Sequence, residues 1–290
     1  MGMLEEILGS PQAWRQALAL AEAQGLPRED ALFLGSGSSY FLAQAAAHLA
    51  RARGQQALAL PSAEALFHPG AAGRFPVVVG FSRSGQTTEL LRAVEALGRP
   101  AWLLTTREVR EGPFAKVVVL HEAREEAIVQ TRSFSSAFLY LAYALTGSPA
   151  LRAVPDRFGE VQGGEAGFPV GARYFLLGSG VAWAVAQEAS LKLKETALVW
   201  AEAFQSLEFR HGPKSLLDEE SVVFLLESHP LEAPLAAEME SLGAKVVRLP
   251  GALEELPLSL ARLQLFAHRL ARQRGLDPDR PRHLTYAVRL

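Results

Sequence analysis

The sequence predicts an α/β protein of two tandem units, each a three-layer arrangement in which helices flank a mostly parallel sheet. Short β-branched or aliphatic runs alternate with longer segments that carry apolar residues at helical spacing, as in parallel sheets covered by helices. A motif also recurs about half a chain apart, and 290 residues exceed the usual size of one domain.

The individual elements follow from these local patterns. Apolar runs predict strands at residues 31–34, 57–60, 77–81, 101–104 and 117–120, and again at 174–177, 222–226 and 245–249. Helical spacing predicts helices at 40–52, 88–97 and 125–145, and again at 182–194, 233–242 and 258–272. Each half therefore has the elements of one layered unit.

A Leu-Gly-Ser-Gly turn occurs once in each half. Residues 34–46 and 177–189 are identical at seven of thirteen positions, and the second copy starts 143 residues after the first. So long a period predicts a duplicated domain, because solenoid units run about 20 to 50 residues. Glycine and proline accumulate between 151 and 171, so we predict a first domain over 1–155, with an N-terminal helix, and a second over 156–290, with a C-terminal tail.

The composition excludes several classes of function. The formal charge of -2 is spread over interspersed acids and bases, so nucleic acid is not an expected partner. There is no cysteine, which rules out disulfides and a thiolate nucleophile. No stretch is apolar enough for a membrane helix and the N-terminus lacks a secretory pattern, so we expect a cytoplasmic protein with no membrane partner. The histidines form no ligand pattern, which predicts no metal.

Two strand-to-helix turns are positioned to attract an anion or a sugar hydroxyl. Gly37-Ser38-Ser39 follows the first strand, but Tyr40 stands where a dinucleotide fingerprint has its third glycine, so we expect no nicotinamide cofactor. In the second copy Val181 and Ala182 replace the serines. We interpret that copy as a tight turn.

A second loop is richer in hydroxyl groups. The run Ser82-Arg83-Ser84-Gly85-Gln86-Thr87-Thr88 brings four hydroxyls and a glycine from a buried strand to a helix start, which suits a phosphate monoester. The lysine of a nucleotide P-loop is absent, which argues against ATP or GTP. The alternative is helix capping by Thr87 or Thr88, which explains one hydroxyl but not four.

Several motifs together resemble the sugar isomerase (SIS) domain family. They are the loop at 82–87, Gly37-Ser38-Ser39-Tyr40, Thr131-Arg132-Ser133-Phe134, Leu191-Lys192-Leu193-Lys194-Glu195, His211-Gly212-Pro213 and Asp279-Arg280-Pro281-Arg282. The chain is similar to the isomerase half of glutamine–fructose-6-phosphate aminotransferase and to glucosamine-6-phosphate deaminase-like proteins. The resemblance implies two SIS-type units with flavodoxin-like sheets, a phosphosugar ligand and no cofactor.

The resemblance also implies individual roles. Phosphate contacts fall to Ser82, Ser84 and Thr87, with Gln86 in the same loop and main-chain or side-chain contacts from Arg83, while Gly37, Ser38, Ser39 and Gln130 line the sugar pocket. It further implies a homodimer in which His211 enters the neighbouring subunit's site and opens the sugar ring as an acid or base. The family's C-terminal lysine, which forms a Schiff base in the aminotransferase, is replaced by Tyr286.

One helix carries the residues suited to proton transfer. Glu188, Lys192 and Glu195 are spaced i, i+4 and i+7, which puts two carboxylates and an ammonium on one face. A carboxylate can move a proton between C1 and C2 of a sugar while a cation stabilises the enediolate, and the resemblance assigns the proton to Glu195 and the cation to Lys192. The alternative is a solvated face with ordinary Glu–Lys pairs.

Two functions remain open at this stage. The first is an isomerase or deaminase that acts on a hexose 6-phosphate or an amino-sugar 6-phosphate through Glu195, His211 and Lys192. The second is a non-catalytic phosphosugar-binding regulator, because a fold alone does not fix activity.

Overall fold

The computed structural model describes residues 2–72 and 75–287. Two sheets are built from strands β1 (Ala31–Gly35), β2 (Ala57–Pro61), β3 (Val77–Phe81), β4 (Ala101–Thr105), β5 (Lys116–Val119), β6 (Arg173–Gly178), β7 (Trp200–Gln205), β8 (Ser221–Glu227) and β9 (Lys245–Pro250). The helices are α1 (Met3–Leu8), α2 (Ser10–Gln24), α3 (Ser38–Ala52), α4 (Ser62–Phe67), α5 (Thr88–Leu97), α6 (Arg132–Thr146), α7 (Val181–Ala197), α8 (Ala233–Ser241) and α9 (Leu256–Gln273). Short 3-10 helices connect several of these elements.

The two sheets share one topology. The first has strand order β2-β1-β3-β4-β5 and the second β7-β6-β8-β9, so the second repeats the first without its last strand. The strand pairings described are parallel in both sheets. Order 2-1-3-4-5 is that of flavodoxin-like sheets, and the predicted α/β fold class with two tandem units is confirmed.

The two units pack against each other through their corresponding helices. Buried alanines such as Ala43 and Ala47 on α3 belong to the same apolar core as Ala186 and Ala189 on α7. The side-chain amide of Gln187 donates a hydrogen bond to Oε1 of Gln44 at 2.7 Å, and these are equivalent positions of the sequence repeat. This contact joins the second turns of α3 and α7, and it places the functional residues of α7 beside the first unit.

Three sequence predictions need correction. The helix predicted over 125–145 begins only at Arg132, because the backbone of the preceding segment is bound by side chains: Glu6 accepts from the N–H groups of Glu126 and Ala127. Strand β7 was not predicted, because its sequence, Trp-Ala-Glu-Ala-Phe-Gln, contains two alanines and a glutamate, which are depleted in strands. The expected N-terminal helix is two helices, α1 and α2, divided at Gly9.

Among the described residues, no helix combines the length and the apolar character that crossing a bilayer requires. The boundary between domains near residue 155 falls within a 3-10 segment, Pro149–Glu160, that lies between the two sheets in the chain. We keep the division at 155 and 156 as a proposal.

Candidate active site

The candidate site lies where the strand order of the first sheet reverses. β1 pairs with β2 on one side and with β3 on the other, so the connections that leave β1 and β3 run to opposite faces of the sheet. A crevice forms at the carboxyl ends of the strands at such a point, and ligands of open α/β sheets bind there. The two hydroxyl-rich loops predicted from the sequence begin at these two strand ends.

A cavity of about 230 Å³ opens at this crevice. Of the predicted residues, those that line it are Gly37, Ser38, Ser39, Ser82, Arg83, Ser84, Thr87, Gln130 and Glu195. The hydroxyl loop after β3 and the Glu195 carboxylate from α7 thus face one cavity, although they lie more than a hundred positions apart in the sequence. Gln86, Lys192 and His211 are not in its lining.

The loop at 82–87 is held by hydrogen bonds within itself. The Ser82 hydroxyl accepts from the Gly85 N–H at 3.1 Å and lies 3.0 Å from the Thr87 hydroxyl, while the Ser84 hydroxyl accepts from the Gln86 N–H at 3.1 Å. Thr87 occupies the N-cap position of α5, yet its side chain makes no capping hydrogen bond. Capping by Thr87 therefore does not explain the loop, and its hydroxyl remains beside the cavity.

Gly85 fixes the curvature of this loop, and its replacement by alanine gives a first prediction. Its φ of +67° is unfavourable for other residues, and an added Cβ would lie 2.4 Å from Cγ2 of Val109. We expect Gly85→Ala to lower the free energy of unfolding, measured in urea, by more than the roughly 1 kcal/mol that the backbone conformation alone costs.

Gly98→Ala is the matched control for that prediction. Gly98 has a similar φ of +59°, but an added Cβ there meets nothing within 4 Å. Equal losses of stability in the two variants would show that the contact with Val109 is relieved without cost.

Arg83 ties the loop to the C-terminal segment. Its Nη1 donates to the Ala127 carbonyl at 3.0 Å, and its Nη2 donates to the carbonyls of Ile128 at 2.8 Å and Tyr286 at 2.9 Å. Its guanidinium also lies 4.0 Å from the centre of the Tyr286 ring, within cation–π distance. The terminal nitrogens are thus bound by protein, while Nε is buried without a hydrogen-bond partner among the described residues.

Tyr286 covers the cavity from the C-terminal side. Its ring also stacks near Arg107, whose Nε donates to the phenol oxygen at 3.0 Å, and that phenol donates to the Glu125 carbonyl at 3.3 Å. Leu284, Thr285 and Ala287 complete this side of the lining. Tyr286, at the position where the resemblance implied a lysine in the aminotransferase, therefore contacts two arginines through its ring.

The trio on α7 is buried rather than solvated. Nζ of Lys192 lies 3.2 Å from Oε1 of Glu188 and 2.6 Å from Oε2 of Glu195. The side chains of Glu188 and Lys192 are 0% exposed and that of Glu195 is 18% exposed. Nζ of Lys192 also lies 3.4 Å from the Ser38 hydroxyl at the start of α3. The alternative of an ordinary solvated helix face is wrong.

Burial and charge set the protonation of this trio. Desolvation raises the pKa of Glu188 to about 7, although the neighbouring Lys192 acts in the opposite direction. Desolvation acts to lower the pKa of Lys192, but the two carboxylates outweigh it and raise that pKa. The trio therefore holds one ammonium between two carboxyl groups, of which Glu188 can carry a proton near neutral pH.

The comparison with known proteins agrees with this geometry. Residues 171–249 match the SIS domain family. The second unit therefore carries an SIS domain. The first unit repeats the strand order of this matched unit.

Relatives of known name are similar to this SIS-domain chain over different lengths. The glutamine–fructose-6-phosphate aminotransferase of Aeropyrum pernix is 29% identical over 99% of this chain, and that of Thermotoga maritima is 33% identical over 40%. The chain covers 57% of the first relative's length and 23% of the second's, so it corresponds to part of each.

Solved structures are similar to almost the entire SIS-domain chain. A glucosamine-6-phosphate deaminase from Thermotoga maritima has a TM-score of 0.85 with 28% identity, and 99% of each chain is covered. A tagatose-6-phosphate ketose/aldose isomerase from Escherichia coli has a TM-score of 0.82 with 23% identity, covering 96% of this chain and 94% of the other. The second likeness shows the shared fold alone.

His211 lies outside the cavity of its own SIS chain. It is exposed, directly after the 3-10 turn Glu208–Arg210, and its backbone N–H donates to the Glu208 carbonyl at 2.9 Å. Any catalytic role for His211 therefore requires a second subunit.

Other residues of the candidate site were not predicted. The lining also includes Ser36, Glu89, Ile128 and Leu191. Leu191 stands four residues before Glu195 on the same helix, so helical spacing predicts its position once Glu195 is assigned. The sequence does not indicate that Glu89 lines the cavity, because an acidic residue in the first turn of a helix is common for electrostatic reasons.

The raised pKa of Glu188 predicts how stability depends on pH. The folded chain binds this proton more tightly than the unfolded chain, whose carboxyl titrates near 4.5, so stability is lost as pH rises from there through about 7. Relative to Glu188→Gln, the wild type should lose up to about 3 kcal/mol over this window.

Urea unfolding of both proteins across that pH range measures the difference, in which titrations common to both cancel. Lys192, with its pKa raised from 10.5, titrates above the window. Parallel profiles for the two proteins would contradict the prediction.

Proposed function

We propose that the chain is a phosphosugar isomerase or deaminase that acts on a hexose 6-phosphate or an amino-sugar 6-phosphate. One observation carries this proposal: the hydroxyl loop at 82–87 and the carboxylate of Glu195 line the same cavity. An enzyme that moves a proton along a sugar needs an anchor for the phosphate and a base within reach of the carbons next to the carbonyl group.

The phosphate is bound at the start of α5. Ser82, Ser84 and Thr87 line the cavity, and the helix N-terminus adds a favourable dipole. In the free protein the hydroxyls of these residues bond within the loop, so a monoester oxygen replaces those contacts. Gln86 is not in the lining, and it contributes by donating its backbone N–H to the Ser84 hydroxyl at 3.1 Å, which holds the loop.

Glu195 carries the proton. Its carboxylate removes hydrogen from the carbon next to the carbonyl and returns it to the neighbouring carbon, while the sugar oxygens exchange one proton in compensation. Lys192, whose Nζ lies 2.6 Å from that carboxylate, stabilises the enediolate charge. For an amino sugar the same shift yields an imine, which water hydrolyses with release of ammonia.

Ring opening is assigned to His211 of a second copy in a homodimer. His211 is exposed, and two leucines close to it in sequence, Leu207 and Leu216, are 37% and 47% exposed. Exposed apolar side chains grouped in this way are typical of interaction surfaces. A partner that covers this surface supports the delivery of the imidazole into the other subunit's cavity.

A thermal-shift panel of hexose, pentose and amino-sugar phosphates tests ligand binding. We expect the matching phosphosugar to raise the melting temperature and its unphosphorylated form to have no effect, because only native protein binds. Ser84→Ala should weaken binding about tenfold through loss of a hydrogen bond to phosphate. Ser241→Ala, on an exposed helix end, is the matched control. Equal responses to phosphorylated and free sugars would contradict the proposal.

A further inference from the structure

The second unit contains the same kind of strand-order reversal as the first. β6 pairs with β7 on one side and β8 on the other, as β1 does with β2 and β3. The turns that follow are nearly superimposable in backbone angles: Gly37 has φ 56° and ψ −129°, and Gly180 has φ 57° and ψ −121°. The fold therefore builds two equivalent crevices at two helix starts.

In the second crevice a carboxylate of the chain itself receives the hydrogen bonds. Oε2 of Glu232 accepts from the N–H groups of Ser228 at 2.7 Å and His229 at 2.9 Å, and from the Ser228 hydroxyl at 3.2 Å. Oε1 accepts from the hydroxyl of Ser179, in the Leu-Gly-Ser-Gly turn, at 2.6 Å. Donors from both loops of the crevice thus converge on one buried group, which is 1% exposed.

Glu232 is charged in this position. Desolvation acts to raise the pKa of Glu232, but the hydrogen bonds outweigh it and lower that pKa below its usual value. All four donors are neutral groups of the kind that bind a phosphate oxygen at a helix start. The loop at 82–87 of the first unit has no acidic residue, and its residues Ser82, Ser84 and Thr87 line an open cavity.

We infer that Glu232 is an internal anion that fills the second oxyanion site of the chain and thereby confines phosphosugar binding to the first unit. The simpler explanation is helix capping, since Glu232 also completes a capping box with His229. Capping accounts for the contact with the His229 N–H, but not for the hydroxyl of Ser179, which belongs to a different loop. The inference does not require the proposed reaction.

The experiment uses inorganic phosphate as the probe. Glu232→Ala should bind about one more phosphate per chain than the wild type in equilibrium dialysis, and phosphate should raise its melting temperature more than that of the wild type. Chloride at equal ionic strength is the solvent control. If Glu232→Ala unfolds in chloride, phosphate is expected to restore its folding.

Two further variants sharpen the result. Glu232→Gln keeps the volume of the side chain and satisfies a capping box equally well, but it carries no charge and still fills the site, so it should gain no phosphate.

In a Ser84→Ala, Thr87→Ala background, which removes the first site, phosphate binding should rise from about none to about one per chain when Glu232 is replaced by alanine. Binding by the alanine variant alone, with none in the wild type, would contradict phosphate binding at the loop 82–87, on which the proposed function depends, and would still support Glu232 as the anion that fills the second site. Unchanged phosphate binding on replacement of Glu232 by alanine, or no rescue of folding, overturns it.

Discussion

Glu195→Gln is expected to reduce deuterium incorporation at the carbon next to the carbonyl group, which is C1 of fructose 6-phosphate or C2 of glucosamine 6-phosphate, by about 10³-fold, because general base catalysis contributes 10² to 10⁴ in rate. The amide keeps the size of the side chain but cannot take up a proton. The measurement is NMR of fructose 6-phosphate or glucosamine 6-phosphate in deuterated water, with and without protein. Phosphosugar binding should persist in the variant, since the phosphate loop is unchanged.

Glu202→Gln is the matched control for this variant. Glu202 pairs with Lys194 near the same helix but is 44% exposed, so its replacement should leave the exchange rate unchanged. Wild-type exchange in Glu195→Gln would refute the role of the carboxylate. Binding without any exchange in the wild type would identify the chain as a phosphosugar-binding regulator.

The same assay tests the proposed homodimer. His211→Ala should lose activity on cyclic substrates, and mixing it with Glu195→Gln should recover part of the wild-type rate. In a mixed dimer one site combines an intact Glu195 with an intact His211 from the other subunit. No recovery after subunit exchange would contradict the contribution of His211 across an interface.

Lys192→Met is expected to lower the free energy of unfolding by about 3 to 5 kcal/mol at about pH 8, since it leaves two carboxylates without their buried cation. The loss should be smaller at about pH 5.5, because Glu188, whose pKa burial raises to about 7, takes up a proton there. Urea unfolding at both pH values measures the effect. Addition of Glu188→Gln should recover part of the loss at the higher pH.

Lys194→Met provides the control two residues away. Lys194 is 42% exposed, and its pair with Glu202 is a surface ion pair, so the change should stay within about 0.5 kcal/mol. Similar losses for the two lysines would show that the ion pairs of Lys192 do not hold the site together.

Local sequence patterns predict the first sheet and the helices beside the site well. The run at 77–81 is buried on both faces, and the prediction of helix 88–97 agrees with α5 because both ends carry ordinary local signals. The loop at 82–87 and the spacing of Glu188, Lys192 and Glu195 can also be recognised from the sequence alone. Local patterns do not show how deeply a side chain is buried, because the same spacing of charged residues is found on a solvated helix face and in a buried trio.

Contacts between distant segments account for what was missed. The segment after Ala123 has helical composition, but Glu6 and Arg83 bind its backbone from 120 and 44 positions away, and those bonds exclude a helix. Tyr286 is held by hydrogen bonds from Arg83 and Arg107, which precede it by 203 and 179 positions. No window of sequence contains both partners of such contacts.

The hydrogen bond between Gln44 and Gln187 indicates how the duplicated chain could have arisen from a self-associating half-chain. Contact between equivalent residues of two units is also the arrangement found when identical subunits associate through one shared patch about a two-fold axis. An ancestral half-chain with this patch would have paired with itself at a strength set by its concentration. Fusion of two copies makes that pairing intramolecular, and each copy is then free to acquire residues the other lacks.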